Sequence, residues 1–292
     1  MNFTYHLLNV FGRESDPFSG NPLCVVEPGP VISDAQMQAI ARQFNLSETV
    51  FLGESDAADA DARIFTPESE LPFAGHPTLG TAYLVARLRG VLGTDPEIRL
   101  RMKAGIIPVR IAGHLCTLTA KAPVSRLPYA DDAAFAAAFG LNPVDLGTEV
   151  LPAGTVCKPL WINTGTEQLI VPVKTEEAVR RATPDHARLA AVSGGHANVH
   201  ALLFHMTSSY KVTARFFFAV QGALREDPAT GSASANLGGW WLAHGGAVPF
   251  SGEVSQGEAV HRPSTLHLNI DAQRLIRVGG SVRYLGKGEM QL

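Results

Sequence analysis

The sequence predicts an α+β protein of two like domains, each organised around one helix buried on every side. Three observations carry that prediction. Two helical stretches, Leu79 to Leu88 and Ala233 to Ala243, are apolar or small almost all round, and a helix without a polar face has to be buried. Each follows a glycine-containing turn, Gly75-His76-Pro77-Thr78 and Ala229-Thr230-Gly231-Ser232. Finally, Ala62-Arg63-Ile64-Phe65 is echoed by Ala214-Arg215-Phe216-Phe217, a self-similarity far longer than the 20–50-residue period of a solenoid.

Element by element, Tyr5 to Val10 reads as a strand, the cluster Ser19-Gly20-Asn21-Pro22 as a turn, and Leu23 to Val26 as a second strand. Ser33 and Gln36 have capping-box spacing. Behind them Met37, Ile40, Ala41 and Phe44 fall at i, i+3, i+4, i+7, an amphipathic helix. Strands follow at Thr49 to Leu52, Ala62 to Thr66, Ile98 to Met102, Ile107 to Ile111 and Leu115 to Thr119. Pro123 and Pro128 interrupt the pattern, so the domains are expected at 1–122 and 123–280, with 281–292 a C-terminal strand returning to the first. Beyond the boundary, helices are expected at Asp131 to Phe139 and Glu176 to Ala182. Strands are expected at Leu160 to Asn163, Gln168 to Val173, Ala201 to Phe204, Thr265 to Ile270 and Ser281 to Leu285.

Composition narrows the function classes. The 292 residues are 46 % hydrophobic and 17 % charged with a net charge of −3, which excludes a disordered chain and gives no basic face for nucleic acid. Met1 to His6 lacks the basic and apolar regions of a signal peptide, and no stretch approaches the ~18 apolar residues of a membrane span. The expectation is a soluble, cytoplasmic protein. Cys24, Cys116 and Cys157 are odd in number and widely spaced, so no disulfide framework or metal knuckle is expected.

The chemistry is expected at the two helix starts. A helix start presents unused N–H groups and about half a positive charge, which suits a carboxylate or phosphate. Two such tips in pseudo-symmetric halves can grip one small anion across an interdomain cleft, with Gly75 and Gly231 allowing close approach. The plainer reading makes the glycines tight turns and Thr78 and Ser232 ordinary N-caps; pairing of the turns with His76 and Asp227 favours the functional one. Glu48 stands between a helix end and an apolar strand. A carboxyl buried there would have a raised pKa suited to acid/base work near neutrality; a strand-edge glutamate facing water is the alternative. His196 and His200 stand four apart but have Gly-Gly and Asn neighbours, which argue for a loop and against a metal site. Gly231 to Ala235 lacks the second glycine of a nucleophile elbow. Trp240 and Trp241 read as core, and Asp56 to Asp61 as a solvated acidic turn.

With those residues in place, the chain resembles the phenazine-biosynthesis isomerase-like (PhzF-like) family, whose fold is that of diaminopimelate epimerase. The resemblance runs from about Val10 to Gly288 and rests on five segments in order. They are Phe18-Ser19-Gly20-Asn21-Pro22, Asn45-Leu46-Ser47-Glu48-Thr49-Val50-Phe51, Phe65-Thr66-Pro67, Gly75-His76-Pro77-Thr78-Leu79-Gly80 and Asp227-Pro228-Ala229-Thr230-Gly231-Ser232-Ala233. It implies two pseudo-symmetric domains, each a mixed sheet wrapped around a central helix, with the active site between them, a homodimer, and no cofactor or metal. It implies Glu48 as general acid/base, with His76, Asp227 and Ser232 as catalytic companions. Gly75, Thr78, Thr230, Gly231 and Asn21 would bind a small carboxylate whose proton is shifted along a conjugated system. His261-Arg262-Pro263-Ser264 and Val10-Phe11-Gly12 depart from the family's usual Gly-Arg-Pro-Ser and Asp-Ala-Phe. Related racemases carry a thiol at each helix tip; here neither motif holds a cysteine, which favours one-base isomerisation. The alternatives are a non-cysteine epimerase or racemase, and a catalytically idle small-anion-binding protein.

Overall fold

The first strand, β1 (Asn2–Val10), pairs antiparallel with β2 (Asn21–Val26) across the turn that the sequence marks. Gly20 makes that turn possible. Its φ is +85°, and a Cβ there would sit 2.6 Å from the Val10 carbonyl oxygen, so only glycine passes. A computed structural model describes residues 2–29, 31–128, 130–148, 150–151, 157–193, 199–208, 210–220 and 222–292. By contact the chain divides into two units, one formed by Met1–Thr119 with Gly279–Leu292 and the other by Ala120–Val278. The fold is mixed α+β, rich in strands and sparing in helices.

In the first unit the strands close into a ring. β2 pairs parallel with β3 (Glu48–Gly53), and β3 antiparallel with β4 (Ala60–Phe65). β4 then meets β5 (Glu70–Leu71) at one end and, in parallel, β6 (Glu97–Met102) at the other. β7 (Gly105–Ala112) and β8 (Leu115–Thr119) follow antiparallel. The last strand, β17 (Ile276–Gln291), pairs with β8 and with β1, which completes the ring. Inside lies α2 (Gly75–Leu88), packed against β1, β2, β3, β4, β6, β7 and β8 and buried from His76 to Ala86. That enclosure explains the missing polar face, since each large apolar side chain buried there is worth about 1.5–3 kcal/mol. Outside the ring, α1 (Asp34–Phe44) lays Ile40 and Ala41 on Cys24, Val26, Phe51 and Phe65. Its capping box is formed: Ser33 Oγ accepts from Gln36 N–H at 3.3 Å and Gln36 Oε1 accepts from Ser33 N–H at 2.9 Å.

The second unit uses the same succession of pairings. β9 (Val124–Arg126) and β10 (Leu160–Asn163) are antiparallel, as are β10 and β11 (Glu167–Pro172). β11 then runs parallel to β12 (His200–Ser208), which pairs antiparallel with β13 (Lys211–Val220). β13 takes β14 (Ala223–Asp227) antiparallel and β15 (Phe250–Gln256) parallel, and β15 pairs with β16 (Ser264–Ile270). The inner helix α6 (Gly231–Ala243) packs on β9, β10, β11 and β16. Trp240 and Trp241 are core residues, with their indole N–H groups bonded to the Lys158 and Ala247 carbonyls. On the outer face α3 (Asp132–Ala138), α4 (Glu176–Arg181) and α5 (His186–Val192) cover a core that includes Phe135, Phe139, Leu189, Leu203 and Phe217.

Two expectations change. The acidic turn is not simply solvated: Asp59 engages Arg89, and Asp56 and Asp61 share Arg101. Thr78 and Ser232 are not N-caps, because both helices begin earlier, with Ala74 and Thr230 in the cap positions.

Candidate active site

The helix starts differ sharply from one another in kind. α1, α3, α4 and α5 are each closed by a side chain, from Ser33, Asp131, Thr175 and Asp185. The inner helices are not: neither Ala74 nor Thr230 makes a side-chain cap bond. Each inner helix therefore begins with N–H groups that no cap satisfies, at the positive end of its dipole.

In the first unit Glu48 opens β3 in register with Leu23. Leu23 faces α2 so closely that a Cβ on Gly80 would lie 2.5 Å from it. Glu48 therefore points toward the α2 start, where its Oε2 stands 3.4 Å from His76 Nε2. Both side chains are largely buried, at 16 % and 6 % exposed. Burial pushes the His76 pKa down to about 3, against a hydrogen bond from the ring to the Pro22 carbonyl. Nε2 has no hydrogen-bond partner, so Nδ1 makes the bond to Pro22 and Nε2 turns a lone pair toward Glu48. A neutral imidazole held this way is an acceptor for the proton of a carboxylic acid. Thr78 spends its hydroxyl and its N–H on the Ala74 carbonyl, at 2.7 and 3.2 Å, and is fully buried. It shapes the helix start and has no donor left to offer. Asn21, at the start of β2, is buried as well.

In the second unit Thr230 turns its hydroxyl to Asp227 Oδ2 at 2.5 Å. Gln256, nearly inaccessible, ties the turn together, donating to the Asp227 carbonyl at 2.8 Å and to Thr230 Oγ1 at 3.0 Å. Ser232, one residue into α6, accepts from Gln168 Nε2 at 2.9 Å. With that acceptor role filled, its O–H remains available as a donor. Gln168 is oriented in turn by Asn236, whose Nδ2 donates to Gln168 Oε1 at 2.8 Å. Asn236 Oδ1 accepts from Thr164 N–H and Oγ1–H at 2.9 and 2.7 Å. Among the described residues the side-chain partner of Ser232 is the Gln168 amide, which is not a base.

The sequence profile of the phenazine biosynthesis-like proteins matches residues 8–288. The chain belongs to that family. It is 35 % identical to an uncharacterised isomerase of Pasteurella multocida, over 99 % of this chain and 94 % of the relative. It is 30 % identical to the trans-2,3-dihydro-3-hydroxyanthranilate isomerase of Pseudomonas fluorescens, over 99 % of each. A PhzF-family phenazine biosynthesis protein of Bacillus anthracis superposes with a TM-score of 0.83 at 26 % identity, covering 100 % of both chains. Membership places the chain among isomerases.

Within this phenazine biosynthesis-like member, the structure brings Glu48, His76 and Gly75 together in one unit and Asp227, Thr230, Gly231 and Ser232 together in the other. Sequence reasoning missed Gln168, Asn236 and Gln256; a glutamine at the head of an apolar strand and an asparagine in a buried helix were the available signals. His196 lies outside the described residues, and His200 opens a strand, not a helix. The thiols stand elsewhere: burial pushes Cys24 on β2 and Cys116 on β8 up to about 12, leaving them protonated at neutral pH. No described helix is long and apolar enough to cross a membrane.

Proposed function

We propose that the chain is a cofactor-independent isomerase that shifts a proton on a small carboxylate, with Glu48 as the general acid and base. The observation that carries this is the contact between Glu48 Oε2 and the lone pair of a neutral His76. Ionised Glu48 takes a proton from a substrate carbon, and the electron pair left behind spreads through the conjugated system. The resulting acid rests its proton against His76 Nε2, then returns it to a different atom of that system, so carboxylate and atom count are restored. In each unit an uncapped helix start, joined in the second by the Ser232 hydroxyl, suits a carboxylate and the charge that develops beside it. Asp227 and Thr230 set the geometry of the second start. We also read the two units as pseudo-symmetric, on the strength of their matching strand pairings, and the protein as a cytoplasmic homodimer on the strength of the resemblance.

The test is turnover in deuterated water by wild type and Glu48→Gln. The first substrate is trans-2,3-dihydro-3-hydroxyanthranilate, the compound named for the Pseudomonas relative, followed by other conjugated carboxylates. Wild type should place solvent deuterium in the product, and Glu48→Gln should lose about 10²–10⁴ of the rate. Turnover that survives Glu48→Gln removes Glu48 from the mechanism. Inversion of an optically pure substrate, followed by polarimetry, would favour an epimerase instead, and carboxylate binding without any product would favour an idle binding protein.

A further inference from the structure

His200 is a titratable side chain near the α6 start that the mechanism leaves unused, and its place repeats that of Glu48. Glu48 opens β3, which runs parallel to β2; His200 opens β12, which runs parallel to β11. The register Leu169↔Ala201 puts His200 beside Gln168 one step earlier, on the same face of the sheet. Leu169 and Ala201 face the outer core, so Gln168 and His200 face α6, as the bond from Gln168 to Ser232 requires.

The height along α6 follows from a second contact. Phe204, four residues beyond His200 and so on the same face, meets Trp240 edge-on with centroids 5.0 Å apart. Four strand residues back from Phe204 is about 13 Å, and eight helix residues back from Trp240 is about 12 Å. His200 is therefore level with Ser232, as Glu48 is level with His76. Across the other neighbouring strand it pairs with Phe218 and lies 6.1 Å from the ring of Phe216, the residue paired with Asp227. Among the described residues no protein group hydrogen-bonds to its imidazole. Burial moves its pKa down, which leaves a neutral ring with one donor and one acceptor nitrogen.

We propose that His200 is a specificity-determining residue of the second unit, hydrogen-bonding an amino or hydroxyl substituent adjacent to the carboxylate that the α6 start holds. The ligand class is a small carboxylate with a neighbouring hydrogen-bonding group. This rests on the small-carboxylate reading above and adds to it the substituent that the site selects.

Benzoate and 2-aminobenzoate separate the two ideas, because only the second carries the neighbouring group. Both are titrated calorimetrically into the full chain as wild type, His200→Phe and His200→Asn, with ¹⁵N-imidazole spectra of wild type recorded alongside. The preference for 2-aminobenzoate should fall about tenfold in His200→Phe, with benzoate affinity within twofold of wild type. His200→Asn should recover most of the preference, and the His200 ring nitrogens should shift with 2-aminobenzoate more than with benzoate. An unchanged preference together with unmoved ring signals overturns the assignment and makes His200 part of the wall. Binding of neither compound to wild type removes the small-carboxylate reading and this inference with it. Binding of both, with a silent His200, removes the inference alone.

Discussion

Asn236→Ala perturbs a group that has no substitute. Asn236 is fully buried on α6, and its amide satisfies Thr164 N–H and Oγ1–H, the Thr166 carbonyl and Gln168 Oε1. The Thr164 hydroxyl can turn to another acceptor, and Thr166 is exposed, so its carbonyl can turn to water. The Thr164 N–H and the Gln168 carbonyl cannot escape, because those residues are 8 % and 2 % exposed. Two orphaned groups at about 1–3 kcal/mol each give a loss of about 2–6 kcal/mol. For a unit of this size a kcal/mol moves the midpoint by about 2–4 °C, so a fall of about 10 °C in differential scanning calorimetry is expected. The released Gln168 would also stop presenting its amide to Ser232, so anion affinity should weaken in the surviving folded protein. A midpoint within about 2 °C of wild type would falsify the reasoning, since it would mean that the network is not what holds Gln168.

Other outcomes follow from the same geometry. Glu48→Gln should leave the thermal midpoint within about 2 °C, even as the rate collapses, because a glutamine amide can donate to His76 Nε2 in place of the acid proton; a drop of several degrees would show that the ring presents a donor there. Gly257→Ala should destabilise by about 2–4 kcal/mol in urea denaturation. Its φ is +85°, and a Cβ would lie 2.3 Å from the Arg262 carbonyl oxygen and 2.5 Å from that of Pro228. His76 should make the protein acid-sensitive above the range of its carboxylates. The folded value of about 3 lies below the unfolded 6.5, so stability is complete above pH 6.5 and is lost as pH falls toward 3. That loss amounts to about 2 kcal/mol by pH 5. His76→Gln should remove that share of the difference between denaturation at pH 7 and at pH 5, leaving the parts due to His200 and His244, which burial shifts in the same direction.

What the sequence makes legible is mostly local. The Ser33–Gln36 box spans three residues, and the buried helices declare themselves by lacking any polar face. β14, β15 and α5 escape: Phe250 to Gln256 puts Gly252 and Gln256 at buried positions where an apolar alternation would be sought, and α5 is only seven residues long. The sequence puts the start of α2 one turn late, since Pro77 looks like a boundary when it occupies the first turn, where its missing N–H costs nothing. Glu48 and His76 could be singled out one at a time, but their contact depends on strand register. The links Gln168–Ser232 and Asn236–Thr164 join residues 64 and 72 apart in sequence, beyond any pattern that spacing can reveal. The spacing of His196 and His200 says nothing of the surroundings of His200, because its neighbours Gln168 and Phe218 lie on adjacent strands.

β17 has a consequence for how the chain is made. The first unit closes only when Gly279–Leu292 arrives, because β1 and β8 both wait for that strand. The second unit is continuous from Ala120 to Val278, all of it made before that segment. Vectorial synthesis therefore supplies every residue of the later unit before the segment that closes the earlier one. Until then the ring of the earlier unit stays open between β1 and β8 with two unpaired strand edges, the kind of exposed edge that invites wrong pairing.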